Sequence, residues 1–270
     1  MSVLQSIVLG IVQGLTEFLP ISSTAHLRVV PAFLGWKDPG AAFTAIVQLG
    51  TMAAVLLYFR AELLGIVRGW IGGLRRTTPR SAPEYRMGWY LILGTIPVAV
   101  FGLIFKDQIE TGARDLTLIG TVMIVFGLIL LAADRFGAKN RGEATIDATD
   151  AAAVGVAQAF ALIPGVSRSG ATITGGLFRG LNREAAARFS FLLSVPAVVL
   201  SGLFELRKAG GANTGVGSLL ISTALAFVVG YASIAFLLRY LTSHSLLVFV
   251  IYRVALGALV LALVAGGAIS

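Results

Sequence analysis

Two polar clusters interrupt an otherwise apolar chain, and both carry groups that do chemistry. The first runs from Gln13-Gly14-Leu15-Thr16-Glu17 into Pro20-Ile21-Ser22-Ser23-Thr24-Ala25-His26. The second is Pro164-Gly165-Val166-Ser167-Arg168-Ser169-Gly170-Ala171-Thr172. Gln13 and Glu17 stand four residues apart and share one helix face. Ser22, Ser23 and Thr24 follow a proline break, so they can cap a second helix whose free N–H groups point into a cavity, with His26 on its first turn. Residues 167–172 repeat this feature and add a guanidinium, Arg168. Helix N-termini bind anions, and arginine grips phosphate through two parallel N–H bonds. A carboxylate beside such a site suits a divalent cation or a general base, and a serine beside a histidine suits an activated nucleophile. Together these groups read as phosphoryl chemistry.

That chemistry has to be positioned within a bilayer. The 270 residues have a mean hydropathy of +0.89, with 57% hydrophobic and 13% charged side chains, which excludes an ordinary soluble domain and fits a polytopic membrane protein. A net charge of +8 invites a nucleic-acid partner, but the basic residues lie between apolar spans, so none is expected. The 32 glycines show no three-residue period, and small residues let membrane helices approach closely. Without cysteine there are no disulfides and no thiolate chemistry. The N-terminus lacks a basic segment and a small-residue cleavage site, so no removable signal peptide is expected.

Six segments read as spans: about 41–59, 88–106, 116–133, 188–206, 218–239 and 246–268. Two further apolar segments, about 2–33 and 150–180, are broken at Pro20 and at Pro164-Gly165, with arms too short to cross; both read as re-entrant helical hairpins. The expected fold is therefore an all-α polytopic membrane protein, one domain over 1–270, built as two inverted-topology repeats (about 1–135 and 148–270). Each repeat has one re-entrant hairpin and three transmembrane helices. Gln13 with Pro20 matches Gln158 with Pro164, and Phe43 opens the next span as Phe189 does. Loop 60–87, with Arg60, Arg68, Arg75, Arg76, Arg80 and Arg86, is expected in the cytoplasm, as is 134–150 with Arg135, Lys139 and Arg141. Loop 107–115, with Arg114 against Asp107, Glu110 and Asp115, then faces outward, as do both termini; hairpin 1 enters from outside and hairpin 2 from inside. Arg207 and Lys208 fall outside against the rule.

The chain resembles the undecaprenyl-pyrophosphate phosphatases of the bacitracin-resistance type. Their (Glu/Gln)-x-x-x-Glu element stands here as Gln13–Glu17, and their Pro-Gly-x-Ser-Arg-Ser-x-x-Thr element as Pro164–Thr172. The stretch from Glu17 to His26 and Gln48-Leu49-Gly50 are similar too. The resemblance implies a multi-pass enzyme of the bacterial inner membrane that converts a C55 isoprenyl diphosphate to the monophosphate, recycles the cell-wall lipid carrier and confers bacitracin resistance. It implies a divalent cation, Mg²⁺ or Ca²⁺, and a site open to the periplasm. Carried onto this chain, Arg168 holds the diphosphate and Glu17 holds a metal or water. Ser23 is the candidate nucleophile with His26 assisting, and Ser22, Ser167, Ser169 and Thr172 contact phosphate. Many members carry Glu where this chain has Gln13, so a metal site needing two carboxylates loses one of them. A phosphoserine intermediate and direct attack by water both remain open.

Plainer roles stand beside these. His26 and Ser22 can be caps, and Gln13 can stitch the hairpins together. Gln48 can line the cavity, and His244 reads as surface. Arg253, midway along the last span, can pair with a carboxylate such as Glu205 or snorkel. A small-residue face at Gly120 and Gly127 offers a homodimer seam. The competing functions are a lipid transporter or flippase with a midplane anion site, and a non-catalytic phospholipid-binding scaffold.

Overall fold

Prolines and small polar residues end helices where the sequence predicts breaks. The structure is a computed structural model that describes residues 1–105, 115–206 and 215–269, with the side chains of Ala41 and 200–206 excepted. The expected outward charges Asp107, Glu110 and Arg114, the expected exceptions Arg207 and Lys208, and the Glu205 side chain lie outside the described residues.

Helix α1 (Val3–Phe18) starts at a reciprocal cap between Ser2 and Gln5 and stops just ahead of Pro20. Helix α2 (Ser23–Phe33) follows and packs back on α1. Helix α3 (Gly40–Tyr58) bends by 74° into α4 (Arg60–Leu74), and α5 (Pro83–Ile104) begins on a proline, where a missing N–H is harmless. Helix α6 (Leu116–Phe136) is capped by Asp115, which accepts from the Leu118 N–H at 2.6 Å. The second hairpin is α7 (Ala148–Ala159), a 3-10 turn (Phe160–Leu162) and α8 (Arg168–Phe178). Then come α9 (Arg183–Leu206), α10 (Val216–Leu241) and α11 (Leu247–Ala265). No strand occurs among the described residues, only an isolated bridge between Arg141 and Leu181.

Helices α5, α6, α10 and α11 are each long and apolar enough to cross a membrane, and the bent pair α3–α4 would make a fifth span. Their outward side chains, such as Ile96, Leu128, Val228 and Ile251, are exposed, which suits contact with lipid. The remaining expected span, 188–206, lies within the single helix α9. It runs through the centre of the bundle with Phe189, Phe191, Leu192 and Leu193 buried. Its arginines are met by protein: Arg188 bonds Glu62 at 2.7 Å and Glu143 at 2.8 Å, and Arg183 bonds Asp134 at 2.5 Å.

Two expectations are corrected. The basic stretch 60–87 is not all loop, because α4 occupies its first half and lies on α5 with Trp70 edge-on to Trp89 at 5.5 Å. Its apolar positions Leu63, Ile66 and Trp70 recur at helical spacing among the arginines. The Gly120 and Gly127 face is not free for a second copy: α11 covers it, and a Cβ on Gly120 would lie 3.1 Å from the Gly257 carbonyl.

Helix α1 is drawn against α10 by the same device. A Cβ on Gly10 would meet the Ser222 carbonyl at 2.6 Å, and one on Gly14 would meet Val229 at 2.7 Å. The Ser222 hydroxyl donates to the Ser6 carbonyl at 2.8 Å, which satisfies a polar group that lipid could not. Helix α8 rests on α6, α7 and α9, so each hairpin is backed by long helices.

Candidate active site

The two broken helices restart alike. Ser22 and Ser167 are the N-caps of α2 and α8, both helices are 11 residues long, and the caps have φ of +75° and +73°. Each hydroxyl accepts from the N–H three residues on, Ala25 at 3.5 Å and Gly170 at 3.1 Å. Gln13 and Gln158, Pro20 and Gly165, and Ser22 and Ser167 are all separated by one constant spacing in the chain.

Glu17 is the centre of the site. Its carboxylate is buried, with 6% of the side chain exposed, and takes donors from both hairpins. One oxygen pairs with the Arg168 guanidinium across the chain. The other accepts from the Ser23 hydroxyl at 2.6 Å and from the Gln13 amide at 3.0 Å. The Gln13 amide also lies 3.5 Å from the Thr51 hydroxyl, while its own carbonyl oxygen is buried without a hydrogen-bond partner. Ser169 ties the second hairpin to the first by donating to the Leu19 carbonyl at 3.1 Å, and it lies 3.1 Å from the Ser167 hydroxyl.

So Gln13, Glu17, Ser23, Arg168, Ser167 and Ser169 are brought together. His26 is nearby but turned away from Ser23. Its Nδ1 faces the Ser22 carbonyl at 2.7 Å, which requires a proton there, so Nε2 accepts from the Tyr252 hydroxyl at 2.6 Å. The two rings stack at 5.5 Å. Thr172 is fully buried behind the motif. Its hydroxyl donates to the Arg168 carbonyl at 2.8 Å and pairs with Ser190 on α9. His244 is held by Ser243 and Tyr240 in a short exposed turn.

Sequence reasoning missed Tyr252 and the backbone partners of Arg253; the expected partner, the Glu205 side chain, lies outside the described residues. The Arg253 guanidinium donates to the carbonyls of Pro20, Gly165 and Met123. The available signal was a polar pair inside the last apolar span, which a membrane segment rarely tolerates without use.

The sequence comparisons bear on this geometry. The profile of the family described as "Bacitracin resistance protein BacA" matches residues 6–259 of the chain. The chain belongs to that family. It is also similar to the undecaprenyl-diphosphatase of Thermobifida fusca (strain YX), 51% identical over 271 residues that span 100% of this chain and 93% of the relative. The undecaprenyl-diphosphatase of Nocardioides sp. (strain ATCC BAA-499 / JS614) is 52% identical over 269 residues, covering 99% of this chain and 98% of the relative. That of Prosthecochloris aestuarii (strain DSM 271 / SK 413) is 51% identical over 278 residues, covering 99% of each. Both hairpins fall within the part of the chain that the BacA profile matches, apart from the first three residues of α1.

Proposed function

We propose that this chain is an integral membrane phosphatase that hydrolyses undecaprenyl diphosphate to undecaprenyl phosphate and inorganic phosphate, returning the lipid carrier to cell-wall synthesis. The observation that carries the reading is the meeting of Glu17 and Arg168 from opposite hairpins, with the Ser23 hydroxyl on the same carboxylate. A carrier needs an anion site. It has no use for a hydroxyl hydrogen-bonded to a base beside that site. The relatives named undecaprenyl-diphosphatase, matched end to end at about half identity, support the same reading.

The chemistry follows from the donors and acceptors. The diphosphate enters at the two capped helix starts, where free N–H groups and Arg168 favour negative charge. Arg168 exchanges part of its bond to Glu17 for phosphate oxygens. Glu17, relieved of that charge, accepts the Ser23 proton. The Ser23 oxygen bonds to the terminal phosphorus as the bond from that phosphorus to the bridging oxygen breaks, and the C55 monophosphate leaves. Glu17 passes that proton to the departing phosphate; it then deprotonates a water molecule that cleaves the phosphoserine, and the proton returns to the Ser23 oxygen as phosphate is released. In this scheme His26 positions Ser22 and the start of α2, and Ser167 and Ser169 face the phosphate.

The residues fit one hard divalent cation. Glu17, the unpartnered Gln13 carbonyl oxygen and the Ser23 hydroxyl are oxygen donors on one face of hairpin 1. Among the described residues no three His, Cys, Asp or Glu gather, so substrate oxygens would complete the shell of Mg²⁺ or Ca²⁺. Such an ion, when bound, neutralises charge on the diphosphate oxygens.

The matched caps and constant spacing support two repeats, and the odd number of spans read between the hairpins supports their inversion. Basic residues flanking α4 and following α6 support a cytoplasmic location for those ends and a pocket open to the periplasm.

The test is phosphate release from undecaprenyl diphosphate by purified protein in detergent, with and without EDTA, for wild type, Glu17→Ala and Arg168→Ala. Release that depends on metal and is lost in both variants is expected. No release by folded wild type in several lipids and metals would overturn the reading.

A further inference from the structure

Among the described residues Arg253 is the largest side chain that is completely buried, at 0% exposure, and it sits in the second turn of α11. Among the described residues no carboxylate pairs with it. Its partners are three backbone carbonyls: Nη1 reaches Pro20 at 3.1 Å, Nη2 reaches Gly165 at 3.0 Å and Nε reaches Met123 on α6 at 3.3 Å. Pro20 and Gly165 hold equivalent places, each two residues ahead of its N-cap serine. One rigid fork thus holds both hairpin turns at once. The second hairpin is shaped around it, because a Cβ on Gly170, in the first turn of α8, would lie 2.9 Å from Nη1. Gly127 on α6 leaves room for the stem, with the Arg253 Cβ 3.5 Å from where its own would be.

A structural tie alone does not call for this residue. Burying a guanidinium is expensive, and neutral groups of similar size replace buried ionic ones at little or no loss of stability. A positive charge behind two helix N-termini, with no carboxylate against it among the described residues, adds to the field that an anion meets there.

We infer that Arg253 is a positioning residue for the diphosphate. It sets the separation of the two helix starts, and so the register of Ser23 and Glu17 against Arg168, and it supplies positive charge from behind. The inference rests on the phosphatase reading above. Arginine provides both functions, lysine only the charge, and glutamine neither the charge nor the full fork.

The experiment measures kcat and KM for undecaprenyl diphosphate with wild type, Arg253→Lys, Arg253→Gln and Gly170→Ala, alongside thermal unfolding and gel filtration of each in detergent. Arg253→Lys is expected to lose kcat by about a hundredfold, as for a misplacement of about 1 Å, with KM nearly unchanged. Arg253→Gln is expected to lose as much kcat and also to raise KM about tenfold, because the charge is gone. Gly170→Ala keeps the arginine but displaces it, and should resemble Arg253→Lys. If Arg253→Gln does not fold, the Lys and Gly170→Ala variants carry the test alone. The inference is overturned if folded variants keep kcat and KM near wild type. It is also overturned if their losses merely track their loss of thermal stability, with no difference in KM between Lys and Gln. An inactive wild type would instead sink the phosphatase reading.

Discussion

Replacing Glu17 by glutamine keeps its shape and removes one of its two acceptors. Three donors converge on Glu17: the Arg168 guanidinium, the Ser23 hydroxyl and the Gln13 amide. A glutamine has one oxygen, so its NH₂ must face a donor. Arg168 then keeps a charge with only 19% of its side chain exposed and no carboxylate against it. Breaking a fully buried pair costs about 3–5 kcal/mol and an exposed one at most about 1 kcal/mol, so this half-sheltered pair should cost about 2 kcal/mol. Arg168→Met should cost a similar amount, because it strands the Glu17 carboxylate. The double variant removes both charges and lets the amide turn its oxygen to Ser23 and Gln13. Its loss should fall short of the sum of the single losses by about 1–2 kcal/mol. Activity should behave differently. Each single change removes a group that acts on the reacting phosphate, so each loses about 10²–10⁴ in kcat, and the double variant recovers none of it. Thermal or denaturant unfolding in detergent gives the first quantity and phosphate release the second. Stability losses that add to within about 0.3–0.5 kcal/mol would refute the pairing, and an active double variant would refute the chemistry.

Gly165→Ala tests the turn of the second hairpin: φ there is +92° and the new Cβ would lie 2.9 Å from the Ile119 carbonyl, so a loss of about 1–3 kcal/mol is expected, with reduced activity. Gly217→Ala, in the first turn of α10 where a Cβ meets nothing within 4 Å among the described residues, should stabilise by at most about 1 kcal/mol and leave phosphate release unchanged. Asp147, outside the spans, caps α7; the Thr149 hydroxyl at 2.7 Å and the Asp150 N–H at 2.9 Å hold its carboxyl down to about 2. Its contribution is thus complete above the ordinary carboxylate value and is lost as pH falls toward 2, so Asp147→Ala should cost about 1 kcal/mol at neutral pH and nothing below pH 2, read by unfolding across pH.

The hairpins were legible because Pro20 and Pro164-Gly165 cannot sit unpaired in lipid, and an apolar run broken by serines has few other uses. That the two clusters form one site was legible in the sequence, but the direct pairing of Glu17 with Arg168 was not. Each motif announced its chemistry, and their meeting depends on long helices far away in sequence. Helix α4 was hidden because its arginines read as a topology signal and masked the helical period of Leu63, Ile66 and Trp70. Tyr252 and Arg253 stand as a polar pair in the last apolar span, but the orientation of His26 toward Tyr252 and the grip of Arg253 on Pro20 and Gly165 were not readable from it. A ring nitrogen chooses its partner in three dimensions, and a backbone carbonyl looks the same at every residue.

The order of the parts along the chain has a consequence for biogenesis. Glu17 emerges from the ribosome in the first helix, Arg168 in the middle of synthesis, and Arg253 in the last span. Helix α1 has its main packing partner in α10, and the carbonyls of both turns wait for α11. Until the final helix inserts, the nascent protein therefore holds two turns whose carbonyls lack their shared donor. A chain truncated before residue 253 is expected to lack the one side chain that ties the two turns together.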